Sequence, residues 1–163
     1  MNTDQPGEKE KLLHAELTEK IIGTFFGVYN ELGSGFLESV YRNAMMIALR
    51  GAGLECLSEH PIPVHFRGQQ VGNFFADILV DNKVILELKA LRHLETAHEA
   101  QLLNYLKATD IEVGLLLNFG PRAQFRRFRL DNALKTPPKI CVDSCESVSK
   151  GSDLAVEEEL VGK

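Results

Sequence analysis

The chain has 163 residues, enough for one ordinary domain and too few for two comfortable ones. Its 44% hydrophobic and 25% charged residues are the balance of a soluble globular protein, and no apolar run approaches the roughly 18–20 residues that cross a bilayer. The net charge of −5 argues against wrapping of nucleic acid by a basic surface; residues 131–163, with four Lys and seven Asp/Glu, carry −3 of it and leave room for a local basic patch elsewhere.

The N-terminus, MNTDQPGEKEKLLHAE, is polar and lacks an apolar signal core, which makes the cytoplasm the expected location. Residues 1–11 read as a flexible arm. Helical spacing begins after it: Leu17, Ile21, Ile22, Phe25, Phe26, Val28, Tyr29 and Leu32 recur every three or four residues, predicting a helix over 12–32. Gly33-Ser34-Gly35 ends it, and a second helix follows over about Phe36–Ala52.

The period then changes from 3.6 to 2. Strands are predicted at Leu54–Ser58, Ile62–Phe66, Val71–Val80 and Val84–Lys89, with Pro61 and Pro63 marking the second as an edge or a crossing. A third helix is expected over about Leu94–Lys107, then an apolar strand at Val113–Asn118 and a last strand at Phe125–Leu130. Residues 131–163 read as an acidic, disordered tail without a core of its own, with a marginal helix near Leu154–Val161. Of the three cysteines, Cys141 and Cys145 lack metal-site spacing, and Cys56 reads as a buried small residue.

The stretch FFADILVDNKVILELKA places Asp77, Glu87 and Lys89 inside otherwise apolar strands. Glu87 and Lys89 share one face, with Leu86 and Leu88 on the other. The turn decides where Asp77 points. A two-residue turn at Asp81-Asn82 pairs Asp77 with Leu86, whereas a three-residue loop sets it opposite Glu87, with Cβ atoms about 4.5–5.5 Å apart. Two carboxylates that close need a cation or a proton between them: Lys89 offers one charge, and a magnesium ion, which prefers such hard oxygen donors, offers more. A solvated surface network of Asp, Glu and Lys is the alternative. Against it, Ile85 shares the parity of Glu87, and the run Gly114–Leu117 calls for a sheet covered on both sides.

Asp77, nine intervening residues and then Glu87-Leu88-Lys89 resemble the signature of the PD-(D/E)xK nuclease superfamily. Gln101-Leu102-Leu103-Asn104-Tyr105 is similar to the Q-x-x-x-Y motif of its RecB-like branch, and Gly35-Phe36-Leu37-Glu38-Ser39-Val40-Tyr41 to the motif that names the GxxExxY family. The resemblance covers about residues 15–130 and implies a restriction-endonuclease-like α/β domain over 12–130, with a central mixed sheet flanked by helices in the order α-α-β-β-β-α-β-β. It implies a magnesium- or manganese-dependent nuclease acting on DNA or RNA, in which Asp77, Glu87 and Glu38 hold the metal and Lys89 positions or deprotonates water. Gln101 would orient water or phosphate beside Tyr105, and Tyr41 would join Tyr105 on the substrate side, unless these tyrosines are core aromatics. Arg127 and Arg129 share a strand face that would meet phosphates, or else protect an edge strand. His98 would line the site or serve as a helix cap. Nuclease folds also persist as inactive binding modules, which is the rival expectation; pairing into a homodimer is a further one, and no membrane contact is expected.

Overall fold

A computed structural model describes residues 12–135. The expected N-terminal arm, the tail beyond residue 135 with its short helix, and Cys141 and Cys145 lie outside the described residues. Helix α1 (Ala15–Leu32) turns Ile21, Phe25 and Val28 inward, the stripe that its spacing requires. It stops at Gly33, whose φ of +67° favours glycine and whose N–H still closes on the Tyr29 carbonyl at 2.8 Å. Helix α2 (Glu38–Gly51) packs against α1 and buries Tyr41, Met45, Met46 and Leu49.

The two strands predicted at 54–58 and 62–66 are one, β1 (Cys56–Phe66). Among the described residues it pairs only with β2 (Gln69–Val80), so it is an edge strand of this sheet and has a side on which the missing N–H of Pro61 or Pro63 breaks no ladder bond. Strand β3 (Val84–Lys89), helix α3 (Thr96–Ala108), β4 (Val113–Phe119) and β5 (Ala123–Arg129) follow, and a short 3-10 turn spans Asn132–Leu134. The sheet order is β1-β2-β3-β4-β5, with β3 and β4 parallel and the other neighbours antiparallel. Helix α3 is the crossover that a parallel pair needs. The fold is α/β, a mixed sheet between three helices in the predicted order.

Helices α1 and α2 cover one face of the sheet, meeting Ile78, Val80, Leu86, Leu88, Leu115 and Leu117. Helix α3 covers the other, where Leu102 and Leu106 meet Leu79, Ile85 and Leu116. Every residue of β4 is therefore buried, as its continuous apolar run requires, and each buried leucine contributes roughly 2 kcal/mol relative to exposure. Gly114 permits the close approach of α3, since a Cβ there would lie 2.8 Å from the Leu102 side chain.

Alternation breaks at Asp77. Ile78 belongs to the α1–α2 core, yet Ala76, two residues earlier, belongs to the α3 core. The break coincides with Glu59, which has a φ of +50°, and with a gap in the ladder between Ser58–Ile78 and His60–Ala76. The outer half of the β1–β2 hairpin is thus turned toward α3, and Asp77 sits at the pivot.

Candidate active site

The loop between β2 and β3 has odd parity. Val80 pairs with Val84, and Asp81 and Asn82 adopt φ of 48° and 55°, which short polar side chains tolerate. The Lys83 N–H closes the turn on the Val80 carbonyl at 2.9 Å. Continued past Ile78–Leu86, this register sets Asp77 opposite Glu87. The two-residue alternative, which pointed Asp77 to the apolar side, does not occur. At this position the side chain replaces the ladder: Asp77 Oδ2 accepts the Leu88 N–H at 2.8 Å.

Glu87 is only 3% exposed. Its Oε1 accepts from Lys89 Nζ at 2.7 Å, while Oε2 is buried with no hydrogen-bond partner. Burial first, and then the charges of Asp77 and Glu38, push its carboxyl up to about 7 against the pull of Lys89. For Lys89 burial alone would lower the ammonium, but the hydrogen bond and charge of Glu87, with Glu38 and Asp77, outweigh it and raise the group. The carboxylates around Lys89 thus favour its ammonium form. The solvated-network alternative fails on the same residues, because Glu87 is buried.

Glu38, exposed at the start of helix α2, adds its charge to the surroundings of Glu87 and Lys89, and its position explains the G-x-x-E-x-x-Y spacing. Gly35 takes a φ of +112°, and Glu38 opens the helix. Tyr41 does not face substrate: it is fully buried, stacked on Phe119 at 4.2 Å, and its hydroxyl donates to the Gly33 carbonyl at 2.7 Å and accepts the Phe36 N–H at 3.2 Å. It pins the loop that delivers Glu38. Arg42, one turn after Glu38, lies 3.6 Å from Asp77 and 3.3 Å from Glu59. Its i, i+4 relation to Glu38 was the available signal, and the sequence reading passed over it.

From the other face, Gln101 Nε2 donates to the Tyr105 hydroxyl at 2.6 Å, one turn along α3 as their spacing required. Burial raises the Tyr105 phenol, against the hydrogen bond from Gln101, and the charges of Glu87 and Asp77 add to the rise. Beyond β3 the chain is clamped. Asn118, buried in β4 next to Lys89, donates to the Leu91 carbonyl and accepts its N–H, both at 2.9 Å, and a Cβ on Gly120 would fall 2.0 Å from that carbonyl. A lone amide in an apolar strand signalled a buried polar duty that sequence reasoning missed.

Other expected residues stand apart. Arg127 Nη2 donates to the Leu13 carbonyl at 2.7 Å, and Arg129 pairs with Asp131 at 3.6 Å. Through β4 they lie level with Leu86 and Val84, at the end of the sheet away from Lys89 and two strands across, and Arg126 pairs with Glu99. The arginines of β5 thus tie down an edge strand, and phosphate contact at the carboxylates is not within their reach. His98 is a cap, its Nδ1 accepting the Glu95 N–H at 3.0 Å.

A family model of the PD-(D/E)XK nuclease superfamily matches residues 15–128, from the start of α1 into β5, and so includes every residue of this cluster. The chain belongs to the PD-(D/E)XK nuclease superfamily. The mixed sheet and its helices are consistent with the restriction-endonuclease-like fold of that superfamily. No curated protein is significantly similar. Among solved structures, the crystal structure of SSO0001 is 23% identical, with a TM-score of 0.46, over 74% of this chain and 62% of its own. The present chain therefore spans less than two thirds of that protein's length.

The signature residues Asp77, Glu87 and Lys89 converge, and their donors fit a hard divalent cation. Glu87 Oε2 is an orphaned carboxylate oxygen in a site with surplus negative charge, and Asp77 offers Oδ1 beside it once Arg42 gives way. Among the described residues no three His, Cys, Asp or Glu are grouped to hold a metal ion, so the expected set of Asp77, Glu87 and Glu38 is not assembled as three direct ligands.

Proposed function

We propose that the chain is a metal-dependent nuclease that hydrolyses phosphodiester bonds in DNA or RNA at the site built on Asp77, Glu87 and Lys89. The observation that carries this reading is the buried Glu87 carboxylate, whose second oxygen has no partner and whose charge is opposed by Asp77 and Glu38. Lys89 meets one oxygen of Glu87 and leaves the other, buried, without a partner.

Asp77 and Glu87 would hold the ion, with Glu38 reaching it through water. Bound magnesium or manganese supplies charge at the phosphoryl oxygens and a more acidic water. Lys89 stays an ammonium, orients the attacking water and meets the charge that grows on the phosphoryl group. Gln101, fixed by Tyr105, presents its carbonyl oxygen to water or its amide to phosphate. Within the superfamily, Gly35, Glu38 and Tyr41 support kinship with the GxxExxY proteins, and Gln101 with Tyr105 supports the RecB-like branch.

A second reading is a binding module without turnover, favoured by Arg42, which already stands against Asp77 and competes with a cation there. Manganese titration followed calorimetrically, beside cleavage of single- and double-stranded DNA and RNA, separates the two. The nuclease reading expects binding and cleavage that both vanish in Glu87→Gln and Asp77→Asn. Metal binding unchanged by both substitutions sinks it, and binding without cleavage of any substrate leaves the module.

A further inference from the structure

The outer half of the β1–β2 hairpin turns one face toward α3, and that face opens step by step into solvent. Its base is Ala76 and Ile62, both fully buried against α3. Next comes Phe74, paired with Ile62 and 44% exposed, whose ring stands 5.8 Å from that of Tyr105. Val64, paired with Gly72, continues the same face; the pairing then shifts by one residue on β2 at a bulge between Val64 and His65, and Phe66, two residues beyond Val64 on β1 and 60% exposed, ends the face. At the tip, Arg67 and Gly68 form a two-residue turn with φ of 50° and 77°, and the Arg67 guanidinium lies 5.1 Å over the Phe66 ring. From His60 to Ala76 the hairpin has no Asp or Glu, in a chain whose net charge is −5.

We infer that this face of the hairpin, from Phe74 to Phe66 and Arg67, is a stacking track for single-stranded nucleic acid that leads the substrate strand to Glu87. The inference rests on the nuclease reading and adds the form of the substrate. Phenylalanines on a strand present flat rings to bases of any identity, and arginine at the tip supplies the phosphate contact that a single-strand groove needs. The track is continuous with the chemistry: Phe74 touches Tyr105, and Tyr105 holds Gln101. From the Phe74 level to Phe66 is four residues, about 13 Å of strand, enough for about four stacked nucleotides. A duplex, with its bases turned inward, offers nothing to these rings. The absence of acids suits a polyanion, whereas a second copy of the chain would bring neutral or acidic surface to Arg67.

The test is fluorescence anisotropy with a labelled, hydrolysis-resistant phosphorothioate oligothymidylate, alone and as a duplex, in the presence of manganese. The intact protein is compared with Phe66→Ala and Arg67→Ala, both at the exposed tip, with melting temperature as the folding control. The expected result is tighter binding of the single strand than of the duplex. Phe66→Ala should weaken the single-strand affinity roughly 5- to 150-fold, Arg67→Ala should flatten its salt dependence, and manganese binding should be unchanged in both. Single-strand binding unaffected by Phe66→Ala overturns the track and leaves the metal site standing. Conversion of a dimer to a monomer by Phe66→Ala, seen by sedimentation, also overturns it, by giving the face to a second copy. Failure of the intact protein to bind manganese removes the nuclease reading itself and the track with it.

Discussion

Asp77 is held from two sides. Its Oδ2 accepts the Leu88 N–H at 2.8 Å, and its Oδ1 lies 3.6 Å from Arg42. The first contact replaces a rung of the β2–β3 ladder and fixes the carboxylate at the level of Glu87. The second places a guanidinium where a cation ligand would otherwise face solvent. On the nuclease reading, Arg42 and a metal ion would compete for one oxygen. Removing the guanidinium should tighten manganese binding in Arg42→Ala, by up to about tenfold, while stability changes by no more than about 1 kcal/mol, as for a partly exposed ion pair. Isothermal calorimetry checks the first and urea unfolding the second. Weaker binding in Arg42→Ala would mean that Arg42 orders Asp77 and does not compete for it.

Glu87 makes stability depend on pH in an unusual sense. Its carboxyl is raised in the fold, to about 7 from the ordinary 4.5, so between those values the folded protein binds more protons than the unfolded chain. Stability then falls as pH rises through this window, and the penalty is complete above it, roughly 3 kcal/mol at most. In EDTA the protein should be less stable to urea at pH 8 than at pH 5, and Glu87→Gln should flatten this slope. Manganese should restore stability at pH 8 in the native chain and have no such effect in Glu87→Gln. A native protein that gains stability from pH 5 to 8 without metal contradicts the buried-charge account.

Lys89→Met tests the assigned role of the ammonium. Cleavage should drop by about 10²–10³ in kcat, the scale for losing one charge donor to a transition state, with manganese affinity retained. Without metal the variant leaves Glu87 buried with no cation bonded to it, so its loss of stability should be larger at pH 8 than at pH 6. Equal losses at the two pH values would place Glu87 in a neutral form throughout.

Gly120→Ala probes the clamp behind Lys89. A Cβ only 2.0 Å from the Leu91 carbonyl forces the backbone apart, at a cost of about 1–3 kcal/mol. The displaced segment follows Lys89, so kcat should fall while manganese affinity changes little. A variant as stable and active as the native chain would show that the Asn118–Leu91 bonds do not depend on this approach.

Tyr41→Phe distinguishes a pinned loop from a substrate contact. The variant loses the hydroxyl bonds to Gly33 and Phe36, which should cost about 1–3 kcal/mol in urea unfolding, and KM for an oligonucleotide should stay unchanged. A raised KM at unchanged stability would return Tyr41 to the substrate side.

Local patterns decided most of the framework. Alternation along Val84–Lys89 put Glu87 and Lys89 on one face, and helical spacing put Gln101 beside Tyr105, because both periods are properties of the backbone alone. The unbroken apolar run in β4 already implied a sheet covered on both faces. Sequence also narrowed the turn before Lys83 to two forms, each with a definite consequence for Asp77. Choosing between them was a matter of tertiary structure, because the register follows from pairing and packing across the whole hairpin. Distance along the chain hid the rest: Arg42 reaches Asp77 from another element, Asn118 reaches Leu91, and Arg127 is spent on Leu13. The charge state of Glu87 and the burial of Tyr41 depend on which neighbours remove water from them. No periodicity encodes that desolvation, and only the packed sheet and helices supply it.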